Sequence, residues 1–162
     1  MFDFTPSAAA DLSKGEQYAL LAEQAASLLT GEPDRTAKAA NFAALLFHGL
    51  ADLNWLGFYF YDGSELVVGP FQGKPACVRI PLGKGVCGTA AASGQTQVVA
   101  DVDAFPGHIA CDSESRSEVV VPLFHEGQLI GVLDIDSDRP AAFTEADSAG
   151  LSAILRSVFG DL

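Results

Sequence analysis

The fold of this chain is decided by two apolar segments, Glu118-Val-Val-Val-Pro-Leu-Phe124 and Leu129-Ile-Gly-Val-Leu-Asp-Ile135. Each has the length and apolar character of a strand. The pair Glu126-Gly127 lies between them and is typical of a turn. Together they predict a hairpin, and a mostly antiparallel sheet is expected around it.

Further strands are predicted on the N-terminal side of this hairpin. Trp55–Tyr61 and Glu65–Val68 flank Asp62-Gly63, a strong turn pair, and predict a second hairpin. Short strands are predicted at Cys77–Ile80 and from Val98 onwards. These segments extend the expected antiparallel sheet.

Helices are predicted around the sheet from capping residues and apolar periodicity. They cover residues 13–31, 33–49, 86–93 and 144–158. Capping boxes at Ser13–Glu16 and Thr144–Asp147 open the first and the last, and Pro33 suits the first position of the second. The sequence therefore predicts an α+β fold in a single domain, residues 1–162, with helices packed on one face of the sheet.

Composition and charge narrow the classes of function. The chain has 162 residues, of which 49% are hydrophobic, and a formal net charge of −12. Nucleic acid and anionic membrane surfaces are poor partners, because they need clustered Lys and Arg and the basic residues here are scattered. No apolar run approaches the ~20 residues of a membrane span, and no secretory signal is recognised. A cytoplasmic location is therefore expected.

The three cysteines, Cys77, Cys87 and Cys111, are the first candidates for chemistry. Their odd number argues against a disulfide framework. Cys111 lies in the irregular segment 101–115, where a thiol can be reached, and Cys87 lies in the first turn of a short helix, which favours a thiolate. Cys77 starts a predicted strand and could approach the other two. Thiol redox chemistry is one interpretation, and burial as small apolar side chains is the other.

Two further interpretations of this region are weaker. Gly83–Gly88 matches the glycine pattern of a dinucleotide site, but no series of βαβ units surrounds it, so a tight turn is expected instead. The side chains that zinc prefers occur at Cys77, Cys87, His108 and Cys111. Only the last two are closely spaced, whereas structural zinc sites show paired short spacings. No metal site is predicted.

Acidic and aromatic side chains provide the remaining candidates. Asp134 and Asp136 alternate with apolar residues, so both face one side of the predicted strand. Glu118 opens the neighbouring strand and could join them, although a solvated strand end is the alternative. Trp55 and Tyr59 share a face of the aromatic strand, either as core or as the wall of a pocket.

Four motifs resemble those of the free methionine-(R)-sulfoxide reductases, which are stand-alone GAF-domain enzymes. They are Cys77-Val-Arg-Ile-Pro-Leu-Gly-Lys-Gly-Val-Cys87-Gly-Thr-Ala, His108-Ile-Ala-Cys111-Asp, Ser117-Glu118-Val-Val-Val-Pro and Gly131-Val-Leu-Asp134-Ile-Asp136-Ser. The resemblance covers nearly the whole chain and includes Asn54-Trp-Leu-Gly-Phe-Tyr. It implies a GAF-like fold with a small-molecule pocket enclosed by loops and a short helix.

The resemblance also implies an activity, the reduction of free L-methionine (R)-sulfoxide to methionine with electrons from thioredoxin. By this resemblance Cys111 is the attacking thiol and Cys77 resolves it as a disulfide. Cys87 is either an alternative partner or part of the recycling relay. No bound cofactor is implied, and a homodimer is.

The other site residues take their roles from the same resemblance. Glu118, Asp134 and Asp136 would hold the substrate and supply a proton, and Trp55 and Tyr59 would enclose its methyl group and side chain. Several carboxylates close together raise one another's pKa, which would keep one of them protonated as the acid.

A small-ligand-binding sensory GAF module is the alternative function. Three expectations speak against it. No attached domain is expected, the Asn-Lys-Phe-Asp-Glu set typical of cyclic-nucleotide GAF domains is missing, and a sensor would not need three thiols around its pocket. A zinc-binding interaction domain is a third class, which metal analysis would reveal.

Overall fold

The computed structural model describes residues 2–9 and 11–160. Within them, six strands form one sheet: β1 Leu53–Tyr61, β2 Glu65–Gly73, β3 Arg79–Pro81, β4 Gln97–Val99, β5 Ser117–His125 and β6 Gln128–Ser137. Their order is β3-β2-β1-β6-β5-β4, and every neighbouring pair is antiparallel. This confirms the antiparallel sheet predicted from the two hairpins.

Four α-helices lie within the described residues: α1 Lys14–Leu29, α2 Arg35–Gly49, α3 Gly85–Ser93 and α4 Glu145–Phe159. As predicted, α1, α2 and α4 cover one face of the sheet. The short α3 packs on the opposite face, against β5 and β6. Residues 102–104 form a single 3₁₀ turn in the otherwise irregular segment 101–115. No helix in the described ranges is long and apolar enough to cross a bilayer.

The alternation of side chains along the strands gives the sheet two apolar faces. Under α2, Phe58 of β1 packs edge-to-face on Phe42 with 5.7 Å between ring centroids. Leu133 and Ile135 of β6 are fully buried in the same core. Val132 belongs instead to the second core, which α3 covers. The polar residues of β6 that alternate with the first core therefore point toward α3.

Strand β2 is longer than its sequence indicates. It was expected to end at Val68 but continues to Gly73 through Pro70. Proline lacks the N–H that a central strand needs, so it is tolerated only at edges and bulges. Here β3 pairs only with residues 65–67, and the β1–β2 register shifts beside Pro70. Both conditions for a proline within a strand are thus met.

Two predicted boundaries are wrong. Cys77 does not start a strand, because β3 begins only at Arg79. Pro33 is not the first residue of the second helix. The N-cap of α2 is Asp34, whose side chain accepts a hydrogen bond from the Ala37 N–H at 2.8 Å. An aspartate side chain can accept a hydrogen bond from a free N–H of the first turn, which a proline side chain cannot do. Asp34 is therefore the N-cap, and the helix begins at Arg35.

A buried carboxylate, Asp147, joins α1 to the start of α4. It accepts hydrogen bonds from the Tyr18 hydroxyl at 2.9 Å and from the Thr144 backbone N–H at 2.7 Å. Lys14 forms an ion pair with it. The Thr144 contact belongs to the capping box predicted from the sequence, which is confirmed. One side chain thus caps α4 and holds it against α1.

We expect Asp147→Ala to lower the free energy of unfolding by about 2–4 kcal/mol, because it removes a cap and leaves the buried Tyr18 hydroxyl without its acceptor. Urea unfolding beside the unaltered chain measures the loss. Glu145→Ala changes an exposed residue in the same helical turn and should stay within about 0.5 kcal/mol. An equal loss in both variants would contradict the role of the buried contacts.

Candidate active site

Three carboxyl groups meet on the α3 side of the β5–β6 hairpin. Glu118 lies opposite Asp136 across the two strands, and Asp134 precedes Asp136 by two residues on the same face. Glu118 and Asp134 are only 5% and 6% exposed. The alternative of a solvated strand end is therefore wrong, and the side chains predicted to share a face do so.

Burial gives these carboxyl groups a preference for the protonated form. It raises the pKa of Glu118 to about 8, with a further contribution from the charge of Asp136. Burial and the neighbouring Glu118 raise the pKa of Asp134 well above its ordinary value, and burial and Asp134 do the same for Asp136. Asp134 Oδ1 has no hydrogen-bond partner in the described part of the chain. The cluster can hold protons at neutral pH and leaves one buried acceptor for a ligand.

The cysteines divide into a bonded pair and one buried thiol. Cys77 and Cys111 form a disulfide whose Cα atoms are 5.6 Å apart, and both residues are partly exposed. Cys87, the third residue of α3, is buried, and its Sγ lies 3.9 Å from Glu118 Oε1. The bonded pair is the one that the family resemblance implies.

The predicted thiolate character of Cys87 is wrong. A helix N-terminus favours a thiolate, but burial raises the pKa of Cys87 well above its ordinary value. The nearby Asp134 and Glu118 raise this pKa further. Loss of water therefore outweighs the helix dipole, and Cys87 keeps its proton.

The four possible zinc ligands identified in the sequence do not form a metal site in the disulfide form of the protein, because Cys77 and Cys111 are bonded to each other. A different set, Cys87, Glu118 and Asp134, brings possible ligand atoms within 4.8 Å of one another. Metal ligands must lose their protons, and burial raises the pKa of all three groups. These three groups therefore favour their protonated forms, which do not bind metal ions.

The glycine motif Gly83–Gly88 forms the turn that leads from β3 into α3. Gly83 and Gly85 have φ values of 78° and 61°, in the left-handed region that favours glycine. A Cβ at Gly88 would lie 2.5 Å from the carbonyl oxygen of Pro81. The glycines therefore serve the tight turn and the close packing expected of them. No βαβ unit surrounds the motif in the described sheet, which is antiparallel throughout.

Trp55 and Tyr59 form a buried aromatic wall beside the disulfide. Their rings stack with 5.8 Å between centroids. The Tyr59 hydroxyl donates to the carbonyl oxygen of Cys77 at 3.1 Å, and Trp55 Nε1 donates to that of Lys74 at 3.1 Å. Both rings border a cavity that Cys111 and the two aspartates also line. These two hydrogen bonds thus hold residues 74–77, which include Cys77, against β1.

Two side chains of this site received no role in sulfoxide reduction from the sequence, where His108 was considered only as a zinc ligand and Asn54 only as part of a family motif. The Nε2 atom of His108 lies 3.5 Å from Glu118 Oε2, and only 15% of the His108 side chain is exposed. Asn54 Nδ2 donates to Asp112 Oδ2 at 3.2 Å and to Ser115 Oγ at 3.0 Å, which ties the cysteine loop to β1. A histidine just before a loop cysteine and an asparagine in an apolar strand are the signals that point to them.

Comparisons with known proteins agree with this geometry. The GAF domain family model matches residues 20–158. The free methionine-R-sulfoxide reductase of Escherichia coli (strain K12) is 51% identical over 144 residues, covering 89% of this chain and 87% of that protein. The protein of the same name from Saccharomyces cerevisiae is 40% identical over 156 residues, covering 91% and 87%.

A solved structure gives the same result. The free methionine-R-sulfoxide reductase of Neisseria meningitidis, in complex with its substrate, matches with a TM-score of 0.91 at 46% identity, covering 99% of this chain and 97% of that one. The fold and the site are those of a GAF-domain protein. The chain belongs to the free methionine-R-sulfoxide reductase family. The family and the enzyme class predicted from the sequence are thereby confirmed.

The burial of Cys87 predicts a difference in thiol reactivity. Once the disulfide is reduced, Cys87 should react with an alkylating reagent at neutral pH at least about tenfold more slowly than Cys77 and Cys111, because each unit of raised pKa lowers the thiolate fraction tenfold. Timed labelling with mass spectrometry measures the three rates, and labelling in denaturant should make them alike. Rapid labelling of Cys87 in the folded protein would contradict its burial.

Proposed function

We propose that this chain reduces free L-methionine (R)-sulfoxide to L-methionine by a thiol mechanism. The observation that carries the proposal is that Cys111, which is bonded to Cys77, lines the same cavity as the carboxyl cluster. Sulfoxide reduction needs both parts, because a thiol supplies the electrons and an acid protonates the departing oxygen. The names of the bacterial and yeast relatives describe this activity for those proteins and support it here.

In the first step the Cys111 thiolate attacks the sulfoxide sulfur. Glu118 donates a proton to the oxygen, and the bond between this oxygen and the substrate sulfur breaks as a new bond forms between the oxygen and the Cys111 sulfur. Methionine leaves, and Cys111 carries a sulfenic acid. The Cys111 sulfur loses two electrons and the substrate sulfur gains them. Glu118 suits this role because its pKa of about 8 keeps it protonated at neutral pH. The proton released by the Cys111 thiol restores the carboxyl group, and His108, whose Nε2 lies 3.5 Å from Glu118 Oε2, is the proposed donor of the last transfer to Glu118.

In the second step Cys77 resolves the sulfenic acid. Its thiol attacks the Cys111 sulfur, water leaves, and the disulfide forms. The Cα separation of 5.6 Å in the bonded pair lies within the usual range for this bond. An external dithiol then returns both cysteines to the thiol form. Cys87, on the buried side of α3, takes no part in these two steps and remains a candidate for a relay.

Recognition of a free amino acid follows from the charges that line the cavity. The carboxyl cluster accepts the substrate ammonium group, and this cation favours ionisation of one member. Lys84 and the first residues of α3 also line this cavity, and the free N–H groups of a helix start suit the α-carboxylate. Trp55 and Tyr59 line an adjoining cavity that shares Cys111 with the first, and there they cover the methyl group. Methionine within a peptide lacks both charges, so it should be a poor substrate.

Partners and location complete the proposal. Thioredoxin is the proposed reductant and the cytoplasm the proposed location, because reducing pools there keep a catalytic disulfide transient. The thiols supply the electrons, so the chemistry requires no bound cofactor or metal. The homodimer that the family resemblance implies stays a prediction, which sedimentation velocity tests.

The experiment that tests the function is NADPH oxidation coupled through thioredoxin reductase and thioredoxin. Free Met-(R)-sulfoxide, free Met-(S)-sulfoxide and N-acetylated Met-(R)-sulfoxide are offered separately. Turnover of the free R form alone is expected. No turnover with any of them, with the thiols confirmed as reduced, would favour the ligand-binding sensory module instead.

Substitutions separate the two cysteine roles. We expect Cys111→Ser to abolish methionine formation, because no nucleophile remains, and Cys77→Ser to form about one methionine per chain and then stop with thioredoxin as reductant. Rapid-quench counting of methionine per chain measures both. Sustained turnover by Cys77→Ser would show that Cys87 can resolve the sulfenic acid in its place.

The pKa of Glu118 sets the expected alkaline limit of activity. A general acid must be protonated, so kcat/KM for the sulfoxide should be present below about pH 8 and fall as the pH rises through that value. Glu118→Gln should lower kcat/KM by about 10²-fold or more and remove this alkaline limb. Asp138→Asn, an exposed carboxylate just beyond β6, should keep the unaltered pH profile. An alkaline limb that persists in Glu118→Gln would assign the acid to another group.

A further inference from the structure

Exposed apolar side chains concentrate beside the disulfide. Among the described residues, the large hydrophobic side chains classed as exposed are Phe4, Val78, Ile109 and Phe124. Val78 directly follows Cys77, and Ile109 precedes Cys111 by two positions. Half of these exposed side chains therefore flank the redox pair.

The same side chains are close to the disulfide in space. A Cα atom one or two residues away along the chain is at most about 7 Å distant, so both are neighbours of a bonded cysteine. The Cα atoms of the bonded cysteines are themselves only 5.6 Å apart. Two smaller exposed apolar residues adjoin them. The redox patch is defined here as Pro75, Val78, Ile109 and Ala110.

The fold does not require Val78 to be apolar. Its side chain is 64% exposed, and its only described backbone contact in this region is the carbonyl oxygen that accepts from the Val68 N–H at 2.9 Å, which any residue could provide. Ile109 lies against Gly85 at the edge of the cavity that Cys111 and Glu118 line, and its side chain is still 37% exposed. Exposed apolar surface that adds nothing to a core marks a site of interaction.

We propose that the redox patch is the docking surface for a dithiol oxidoreductase that reduces the Cys77–Cys111 disulfide; this rests on the proposed function. A thiolate of the partner bonds to one sulfur, the Cys77–Cys111 bond breaks, and the other sulfur leaves as a thiolate. The second partner thiol then attacks the mixed disulfide. The partner ends as a disulfide, and both cysteines take up protons from solvent.

The chemistry of this reaction defines the partner surface. The attacking sulfur must reach a disulfide sulfur, so the side chains around the partner's thiol must lie on the redox patch. This chain has a formal net charge of −12, which offers no general attraction to an acidic partner. We therefore assign the affinity to apolar contact with Val78 and Ile109, the exposed large hydrophobic side chains beside the disulfide. The partner is therefore a dithiol protein whose reactive cysteine is surrounded by apolar side chains.

The test compares a protein reductant with a small dithiol. The variants are Val78→Ser and Val78→Ser combined with Ile109→Ser, assayed with free Met-(R)-sulfoxide and either bacterial thioredoxin or dithiothreitol. We expect Val78→Ser to keep its dithiothreitol-driven rate. In the double variant the ratio of kcat/KM for thioredoxin to the dithiothreitol rate should fall by about tenfold or more, as when an apolar anchor is removed from an interface.

Phe124→Ser is the matched control for the double variant. Phe124→Ser alters a side chain that is 41% exposed but lies outside the redox patch, and it should leave the ratio unchanged. An unchanged ratio in the double variant, or an equal fall in Phe124→Ser, would overturn the docking proposal. So would reduction of the unaltered chain by dithiothreitol but not by thioredoxin. Absence of dithiothreitol-driven turnover in the unaltered chain would instead contradict the proposed function itself.

Discussion

The site depends on the removal from water of three carboxyl groups on one hairpin, of which Glu118 and Asp134 are buried and Asp136 is partly buried. An ionised carboxylate taken out of water loses several kcal/mol of hydration, and it avoids this loss by keeping its proton. The sheet imposes the burial, because antiparallel register sets Glu118 opposite Asp136 and strand alternation sets Asp134 on the same face. The α3 helix then covers them. The backbone geometry thus keeps carboxyl groups protonated at neutral pH.

The same constraint divides the cysteines. Surroundings that keep a carboxyl group protonated also disfavour a thiolate, which is why burial and the acidic neighbours raise the pKa of Cys87. Thiol chemistry is easier at the partly exposed rim, where Cys77 and Cys111 lie on loops. Acid and nucleophile are therefore separated by depth within one cavity. A substrate that spans the two depths can use both.

The parts of the fold and of the site that could be predicted from the sequence are those that depend on local patterns. Strand alternation set the shared face of Asp134 and Asp136, and the capping box at the start of α4 was readable because it needs only neighbouring residues. The passage of β2 through Pro70 depends on which strand lies beside it, and the protonated state of Cys87 depends on residues distant in sequence. The disulfide pairing came from family resemblance, because spacing alone leaves the choice among three cysteines open.

The Cys77–Cys111 bond also changes the topology of the chain. It closes a ring over a sequence separation of 34, and this ring contains α3 together with β3 and β4. A cross-link of that length restricts the unfolded chain and is worth about 3–4 kcal/mol in the chain-entropy account. The oxidised chain is then harder to unfold than the reduced one. Oxidising conditions, which convert methionine to its sulfoxide, would therefore leave the protein in the disulfide form, which is the form with the higher free energy of unfolding.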